Sequence, residues 1–316
     1  MKKLNIALFA THTFAMPALK QIMDAGYDLT VISTDVFSYE NMHMEEMVKT
    51  NGVSFLRFSK AEMKDKLADV LKGLNPDICI VFTFGYKIHK DLLSIPKFGF
   101  YNVHFSLLPQ YRGAMPAFWQ LKNGQEKGGW SIIELDEGLD TGAIVFQENV
   151  SLIPGEICGS YTARLSYAVL PGIVKLIEMC SAGEKPHSIP QTEALQSYFP
   201  KAQLNDLKIN WETDTATTIF HLVNACNPDC GGAITTLGGN EIRVLEVSIA
   251  DFQVNEPKVP GEIIYTDPSY GVFVYCFGHT FLRLNTLKMA EGYISGFKLI
   301  ELGVRPGIRF ETLISK

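Results

Sequence analysis

The sequence predicts an α/β protein: a doubly wound, mostly parallel sheet in the N-terminal part and a small β-barrel in the C-terminal part. Three observations predict this. Leu4 to Ala10 and Pro76 to Thr83 are near-continuous apolar runs, as expected of strands covered on both faces. Helical stretches separate such runs, which is the order of parallel βαβ units. After residue 204 the pattern changes to short alternating strands divided by turn residues. The length of 316 residues supports two domains. We expect a first domain over 1–184, a linker over 185–204 and a second domain over 205–316. The linker reading rests on the polar run Lys185 to Lys201 with Pro186, Pro190 and Pro200.

The elements follow in order. Leu4 to Ala10 is a strand and Thr11 to Phe14 a turn. Ala15 to Ala25 is a helix with Pro17 in its first turn and Gly26 past its end. Asp28 to Thr34 is the second strand. Asp35 to Met47 is acidic, with Asp35, Glu40, Glu45 and Glu46 and no Lys or Arg. Val53 to Phe58 is a short strand. Ala61 to Leu74 reads as one amphipathic helix, its solvated face made by Lys64, Lys66, Asp69 and Lys72. After the strand ending at Thr83 comes the loop Phe84-Gly85-Tyr86-Lys87-Ile88, at a strand's carboxyl end, where open α/β sheets bind ligands. A helix over His89 to Ile95 stops at Pro96.

The strand that carries Asn102 and His104 comes next. Ala114 to Asn123 is a helix with Phe118 and Trp119 turned inward. Gly128 to Leu135 and Ala143 to Val150 are strands, and Gly159 to Ser181 reads as a long helix kinked at Pro171. In the second domain, Glu241 to Val247, Gly261 to Tyr265, Gly271 to Phe277 and Thr280 to Leu287 are short strands. Their spacing suggests an open barrel of the kind found in oligonucleotide-binding folds.

Composition narrows the function classes. Hydrophobic residues make up 47% and charged residues 20%, enough for a sizeable core. Net charge is −6 and the pI about 5.7, so no general attraction to phosphate backbones operates. From Lys201 onward ten Lys and Arg stand against thirteen Asp and Glu. Arg283, Lys288, Lys298, Arg305 and Arg309 make either a local basic patch or a solvated rim. The six cysteines follow no disulfide framework and read as small buried hydrophobes of a reducing compartment. Cys226, Cys230 and His221 lack the second ligand pair that a zinc site needs, so no metal is expected. The N-terminus has no signal-peptide pattern, and no run approaches the ~18 apolar residues of a membrane helix. We expect a cytoplasmic protein that does not engage membranes; the oligomeric state is left open.

The most informative stretch is 99–144. Asn102 and His104 occupy positions i and i+2 of a strand and so face one side. The strand stops before Pro109. Asp140 returns in the glycine-bounded loop Gly138-Leu-Asp140-Thr-Gly142. An Asn amide can donate to a developing oxyanion, a His can exchange a proton near neutral pH, and an Asp can orient that His or accept a proton from an amine. This set suits acyl transfer to an amine. The alternative is a buried strand whose Asn and His merely satisfy turn amides.

Asn102-Val-His104, Ser106-Leu-Leu-Pro109, Tyr111-Arg-Gly113, Pro116 and Asp136-Glu-Gly138-Leu-Asp140-Thr-Gly142 resemble the core of the 10-formyltetrahydrofolate-dependent formyltransferases. The nearest groups are the methionyl-tRNA formyltransferases and the domains that act on nucleotide-linked amino sugars. The resemblance implies a Rossmann-like catalytic domain, 10-formyltetrahydrofolate as co-substrate, and Asn102, His104 and Asp140 as catalytic residues. It implies a folate site lined by Phe84, Gly85, Tyr86, Ile88, Ser106, Leu107, Leu108, Pro109, Leu135, Asp136 and Gly138. Phe14, in Phe14-Ala-Met-Pro17, and Arg112 are expected to touch the acceptor, Arg112 by meeting a phosphate; pairing of Arg112 with a local carboxylate is the equal alternative.

The resemblance also implies a primary amine as acceptor, on methionyl-tRNA or on a nucleotide-linked amino sugar; a folate-binding protein without catalysis is the third reading. Methionyl-tRNA formyltransferases carry a basic loop where this chain has the acidic stretch Asp35 to Met47. That departure bears on the acceptor.

Overall fold

A computed structural model of the chain describes residues 3–254 and 256–313; the outer ends of the two expected domains, 1–2 and 314–316, lie outside the described residues. The chain forms two compact units. The first comprises Met1–Pro116, Lys127–Ser151 and Thr162–Phe199, and the second Ala117–Glu126, Leu152–Tyr161 and Pro200–Lys316.

The first unit opens with β1 (Asn5–Ala10), α1 (Met16–Asp24) and β2 (Asp28–Thr34). Pro17 lies in the first turn of α1, where its missing N–H leaves no bond unmade. The acidic stretch after β2 folds into α2 (Tyr39–Thr50). It has little apolar periodicity; its local signal is the cap, Ser38, whose hydroxyl accepts from the Asn41 N–H at 3.0 Å. β3 (Ser54–Phe58) follows. The single helix expected over Ala61 to Leu74 is two, α3 (Lys60–Asp65) and α4 (Leu67–Leu74), divided where Lys66 widens to φ −119. After β4 (Ile78–Phe82) the helix expected over His89 to Ile95 shrinks to a 3₁₀ turn, Lys90–Leu92. One turn cannot repay helix nucleation, and Pro96 disfavours helical backbone in the residue before it.

β5 (Phe100–His104), β6 (Arg112–Gly113), α5 (Pro116–Lys122), β7 (Lys127–Glu134) and β8 (Ile144–Ser151) continue the chain. The long helix expected over Gly159 to Ser181 is also divided, into α6 (Cys158–Ala168) and α7 (Leu170–Ser181). Pro171 is in the first turn of α7. It begins a helix rather than bending one, because it can donate nothing to the preceding turn.

The sheet runs β3-β2-β1-β4-β5-β7-β8. β3 to β5 are mutually parallel, while β5–β7 and β7–β8 are antiparallel. The chain reverses direction across the sheet between β1 and β4, and the carboxyl ends at such a switch point are where open α/β sheets bind ligands. On one face Phe9, Ile32, Cys79, Val81 and Phe100 bury against Met63, Leu67 and Leu71 of α3 and α4. Residues 185–199, read as linker from their polarity and prolines, are part of this unit. Their β9 (Tyr198–Phe199) pairs with β6, and Ile189 exchanges backbone bonds with Ile144 at 2.8 Å each way. Most of these residues are solvated, as their composition suggests, but their backbone pairs at Ile189 and at Tyr198–Phe199 tie the segment to this unit.

The second unit contains α8 (Ala216–Ala225), β10 (Ala233–Leu237), β11 (Asn240–Ala250), β12 (Ile263–Asp267), β13 (Gly271–Cys276), β14 (Thr280–Met289), β15 (Gly292–Ser295), α9 (Gly296–Glu301) and β16 (Phe310–Glu311). Its antiparallel sheet runs β12-β13-β14-β11-β10-β16, with β15 on β14. A bulge at Glu246 bends β11. The outer strands meet through a Glu262–Arg309 bridge and the Phe310 N–H to Gly261 carbonyl bond at 2.8 Å, so the sheet curls into a small barrel. Gly261 permits that approach: φ is 88, and a Cβ there would lie 2.4 Å from the Phe310 carbonyl oxygen. Trp211, buried, stacks on Phe310 and donates to Thr235 Oγ1 at 2.9 Å.

Ser59 and Glu62 form a reciprocal cap at the start of α3. Bonds from the Ser59 backbone first, then from Lys66 and the Ser59 hydroxyl, hold the Glu62 carboxyl down at about 2 against an ordinary 4.5. The folded value lies below the unfolded one, so this stabilisation is complete above about 4.5 and is lost as pH falls through about 2. Glu62→Gln is expected to flatten the acid limb of melting temperature against pH in that window. A limb identical to wild type would contradict the cap.

Candidate active site

All the residues converging here belong to the first unit. β5 alternates, so Tyr101 and Val103 face one way while Asn102 and His104 face the other. His104 is 6% exposed, and its Nε2 lies 2.8 Å from the Tyr111 carbonyl oxygen. A carbonyl can only accept, so Nε2 carries the hydrogen and Nδ1 is left facing Asp140, 3.7 Å from Oδ2. Asp140 is 7% exposed. Its Oδ1 accepts from Asn102 Nδ2 at 3.3 Å and its Oδ2 from the Gly113 N–H at 2.8 Å. Asn102, His104 and Asp140 therefore meet at the carboxyl end of β5.

The Asp140 loop is built differently from a plain glycine turn. Asp140 itself takes the left-handed conformation, φ 55, that glycine would be expected to supply. Gly142 is there for space: a Cβ would sit 1.7 Å from the Glu134 carbonyl oxygen. Asp136 ties the loop, its Oδ1 accepting from the Gly138 N–H at 2.9 Å and the Thr141 hydroxyl at 2.6 Å.

Ser106 to Pro109 is held by residues that sequence reasoning missed. Ser131 of β7, fully buried and paired across from His104, donates to the Ser106 carbonyl at 2.6 Å and accepts from the Leu108 N–H at 3.2 Å. Gln147 of β8 donates to the Leu108 carbonyl at 2.9 Å and to Ser131 Oγ at 2.8 Å. A lone serine inside the apolar run Trp130 to Ile133 was the available signal.

The Phe84–Ile88 loop leaves β4 through Thr83, a β-branched residue at φ 58. Such a conformation persists only when its surroundings enforce it. Here the Thr83 carbonyl accepts from both the backbone N–H, at 3.2 Å, and the hydroxyl of Thr11. Phe84 packs edge-on against Phe9, ring centroids 5.3 Å apart, and against Tyr86. Phe84, Tyr86 and Leu135 border the core cluster that buries Ile88. Tyr86 donates to Asp35 at 3.2 Å; desolvation and then this carboxylate raise its phenol above the ordinary value. Lys87 Nζ reaches the Glu137 carbonyl at 2.9 Å, lacing this loop to the 136–138 loop. Aromatic and aliphatic walls beside open backbone at Gly85 fit a flat, partly polar ring.

Arg112 and Phe14, both expected to touch the acceptor, sit in different settings. Arg112 is 3% exposed, and its guanidinium is spent on Gln191, Gln196 and Glu193, so the local carboxylate is its partner and no donor faces a phosphate. Those bonds hold the Glu193 carboxyl below its usual value. Phe14 stacks on His12, centroids 4.2 Å apart, and lines a cavity of about 540 Å³ with Met16, Pro17, Lys20, Met47 and Tyr167. That lining does not include Asn102, His104 or Asp140. Among the described residues no cluster of three or more His, Cys, Asp or Glu is placed to hold a metal ion, and no helix is long and apolar enough to cross a membrane.

The chain is similar to known proteins. Residues 18–176 match the formyl transferase family, and residues 201–298 match the formyl transferase C-terminal domain. The methionyl-tRNA formyltransferase of Geobacter metallireducens is 30% identical over 97% of this chain and 100% of its own length. That of Carboxydothermus hydrogenoformans is 31% identical over 95% of this chain and 92% of its own. HypX from Aquifex aeolicus, solved with tetrahydrofolic acid, superposes with a TM-score of 0.68 at 15% identity over 95% of this chain; the chain spans 47% of HypX. An N-formyltransferase from Helicobacter canadensis, solved with folinic acid and dTDP-3-aminofucose, superposes with a TM-score of 0.62 at 15% identity, covering 88% of this chain and 98% of that one.

Gly113 has φ 102, and a Cβ there would sit 2.1 Å from the Phe199 carbonyl oxygen. Gly113→Ala is expected to cost on the order of 1–3 kcal/mol and to lower the melting temperature by several degrees. An unchanged melting temperature would contradict the close β6–β9 approach.

Proposed function

The chain belongs to the formyl transferase family, and we propose that it transfers the formyl group of 10-formyltetrahydrofolate to the amine of methionyl-tRNA. The supporting observation is the meeting of Asn102, His104 and Asp140 at the carboxyl end of β5, in a sheet whose strand order switches between β1 and β4. The first unit, which contains all three, carries the chemistry in this reading.

The amine attacks the formyl carbon, forming a C–N bond and a tetrahedral oxyanion. An Asn102 N–H donates to that oxyanion; the amide has two hydrogens, and Asp140 takes one. The amine's surplus proton goes to His104 Nδ1, the ring nitrogen not committed to Tyr111, or to Asp140 directly or through a water. The oxyanion collapses to the carbonyl of the new formamide as the C–N10 bond breaks, and N10 leaves with the proton that His104 or Asp140 had taken. Phe84, Tyr86, Ile88 and Leu135 hold the pterin, with Asp136 and Gly138 shaping the facing loop. Ser106 to Pro109 borders the folate on the other side.

One observation favours a nucleotide-linked amino sugar as acceptor. The segment after β2 has no Lys or Arg from Asp35 to Met47 and exposes Val36, Phe37, Tyr39 and Met42. Such a surface offers nothing to RNA phosphates. Relatives named methionyl-tRNA formyltransferase at about 30% identity over nearly the whole chain weigh more heavily, so tRNA is the primary reading. Free cysteines, five of them buried, agree with a cytoplasmic setting.

The purified enzyme, given isotope-labelled formyl donor, is expected to place label on the α-amine of methionyl-tRNA. Label on a nucleotide amino sugar and none on methionyl-tRNA would overturn the acceptor assignment. Asn102→Ala, His104→Ala and Asp140→Ala are each expected to lose about 10²–10³ or more in kcat, with melting curves still cooperative. Turnover near wild type in His104→Ala would refute the proposed roles.

A further inference from the structure

The segment 189–199 grips both loops that present the reacting side chains. Tyr111 donates its N–H to Ser197 Oγ at 2.9 Å and stacks its ring on Phe199, centroids 4.9 Å apart; its carbonyl is the one that takes the His104 hydrogen. Gly113, paired with Phe199, gives its N–H to Asp140. Between them Arg112 turns a buried guanidinium onto the same segment. Its Nε and Nη2 donate to Gln191 Oε1 at 3.0 and 2.7 Å, its two Nη atoms to Glu193 at 3.2 and 2.7 Å, and its Nη1 to Gln196 at 2.9 Å. These bonds use all five donors of the fork.

Gln191 completes the connection. Its Nε2 hydrogens go to two backbone carbonyls, Asp140 at 2.8 Å and Gly142 at 2.7 Å. The side chain is thus fixed at both ends: its oxygen by Arg112, its nitrogen by the peptide groups of the Asp140 loop. Asp140 occupies a left-handed conformation that a non-glycine residue avoids unless held there. The carboxylate direction, and with it the 3.7 Å separation from His104 Nδ1, depends on that backbone conformation.

We propose that Gln191 is a positioning residue for formyl transfer: braced by Arg112, it holds the Asp140 backbone so that its carboxylate faces His104. This rests on the catalytic reading of Asp140. The role requires both an acceptor toward Arg112 and two donors toward the loop, which an amide has and a carboxylate of the same shape lacks. Glutamate at 191 keeps the Arg112 bonds but turns an oxygen toward two carbonyls.

The test compares Gln191→Glu, Gln191→Ala, Leu195→Ala and Asp140→Ala, with steady-state kinetics in both substrates and a melting curve for each. Leu195 is an exposed side chain of the same segment. A displacement of about 1 Å at a reacting group costs roughly 10²-fold. Gln191→Glu and Gln191→Ala are expected to lose about 10- to 100-fold in kcat with KM for folate and acceptor within threefold of wild type, and Leu195→Ala is expected to stay within threefold in kcat. Wild-type kcat in Gln191→Glu, with Asp140→Ala inactive, overturns the positioning role and leaves the function standing. An equal loss in Leu195→Ala also overturns it, because the segment as a whole would then be at fault. Full turnover in Asp140→Ala overturns both the positioning role and the catalytic reading beneath it.

Discussion

A nearly buried carboxylate, that of Asp140, is the constraint on which the rest of the first unit depends. Removing such a group from water is costly unless each oxygen finds a donor. Oδ1 finds the Asn102 amide, and Oδ2 finds the Gly113 N–H with His104 Nδ1 nearby. These partners come from β5 and from the turn at β6, so the loop after β7 has to close over both. Meeting them forces Asp140 into left-handed backbone and brings the loop against Glu134 so closely that residue 142 has no room for a side chain.

The sheet supplies the geometry for this. Its parallel half ends β1 and β4 side by side, and Thr83 turns the chain sharply outward there, held by Thr11. Its antiparallel edge does something else. β7 and β8 place Ser131 and Gln147 beneath Ser106 to Pro109 and fix that loop through buried hydrogen bonds. One sheet thus holds the two loops by different means: backbone strain at β4, and a polar network under the loop after β5. Satisfied polar networks of this kind are rigid because any unmade bond inside them is expensive.

The surface that leads into α2 has its own chemistry. α2 begins at the Ser38 cap, and the residues leading to it are pinned by Asn41, which accepts from Ser33 Oγ at 2.6 Å and donates to the Thr34 carbonyl at 3.1 Å. What this ordered turn exposes is aromatic and aliphatic, with acidic neighbours. Any RNA contact made here would be by stacking and not by neutralising phosphates.

The sequence by itself determined the α/β class, the main strands of the first unit along the chain, the alternating strands of the barrel and that Asn102, His104 and Asp140 come together. It could do so because each rests on local periodicity or on residue types at fixed spacing. It read the helices that break at Lys66 and Val169 as continuous, the second kinked at Pro171, and missed α2 and α8, whose caps are single residues in weakly periodic surroundings. It read 185–199 as linker and left open what Arg112 would meet. Those matters were decided only by the tertiary structure. The partners of Arg112 lie 79 to 84 residues further along the chain, and Gln191 reaches back about 50 to the Asp140 loop. No local pattern records where a buried donor finds an acceptor that distant; only the folded chain, which must satisfy both, brings them together.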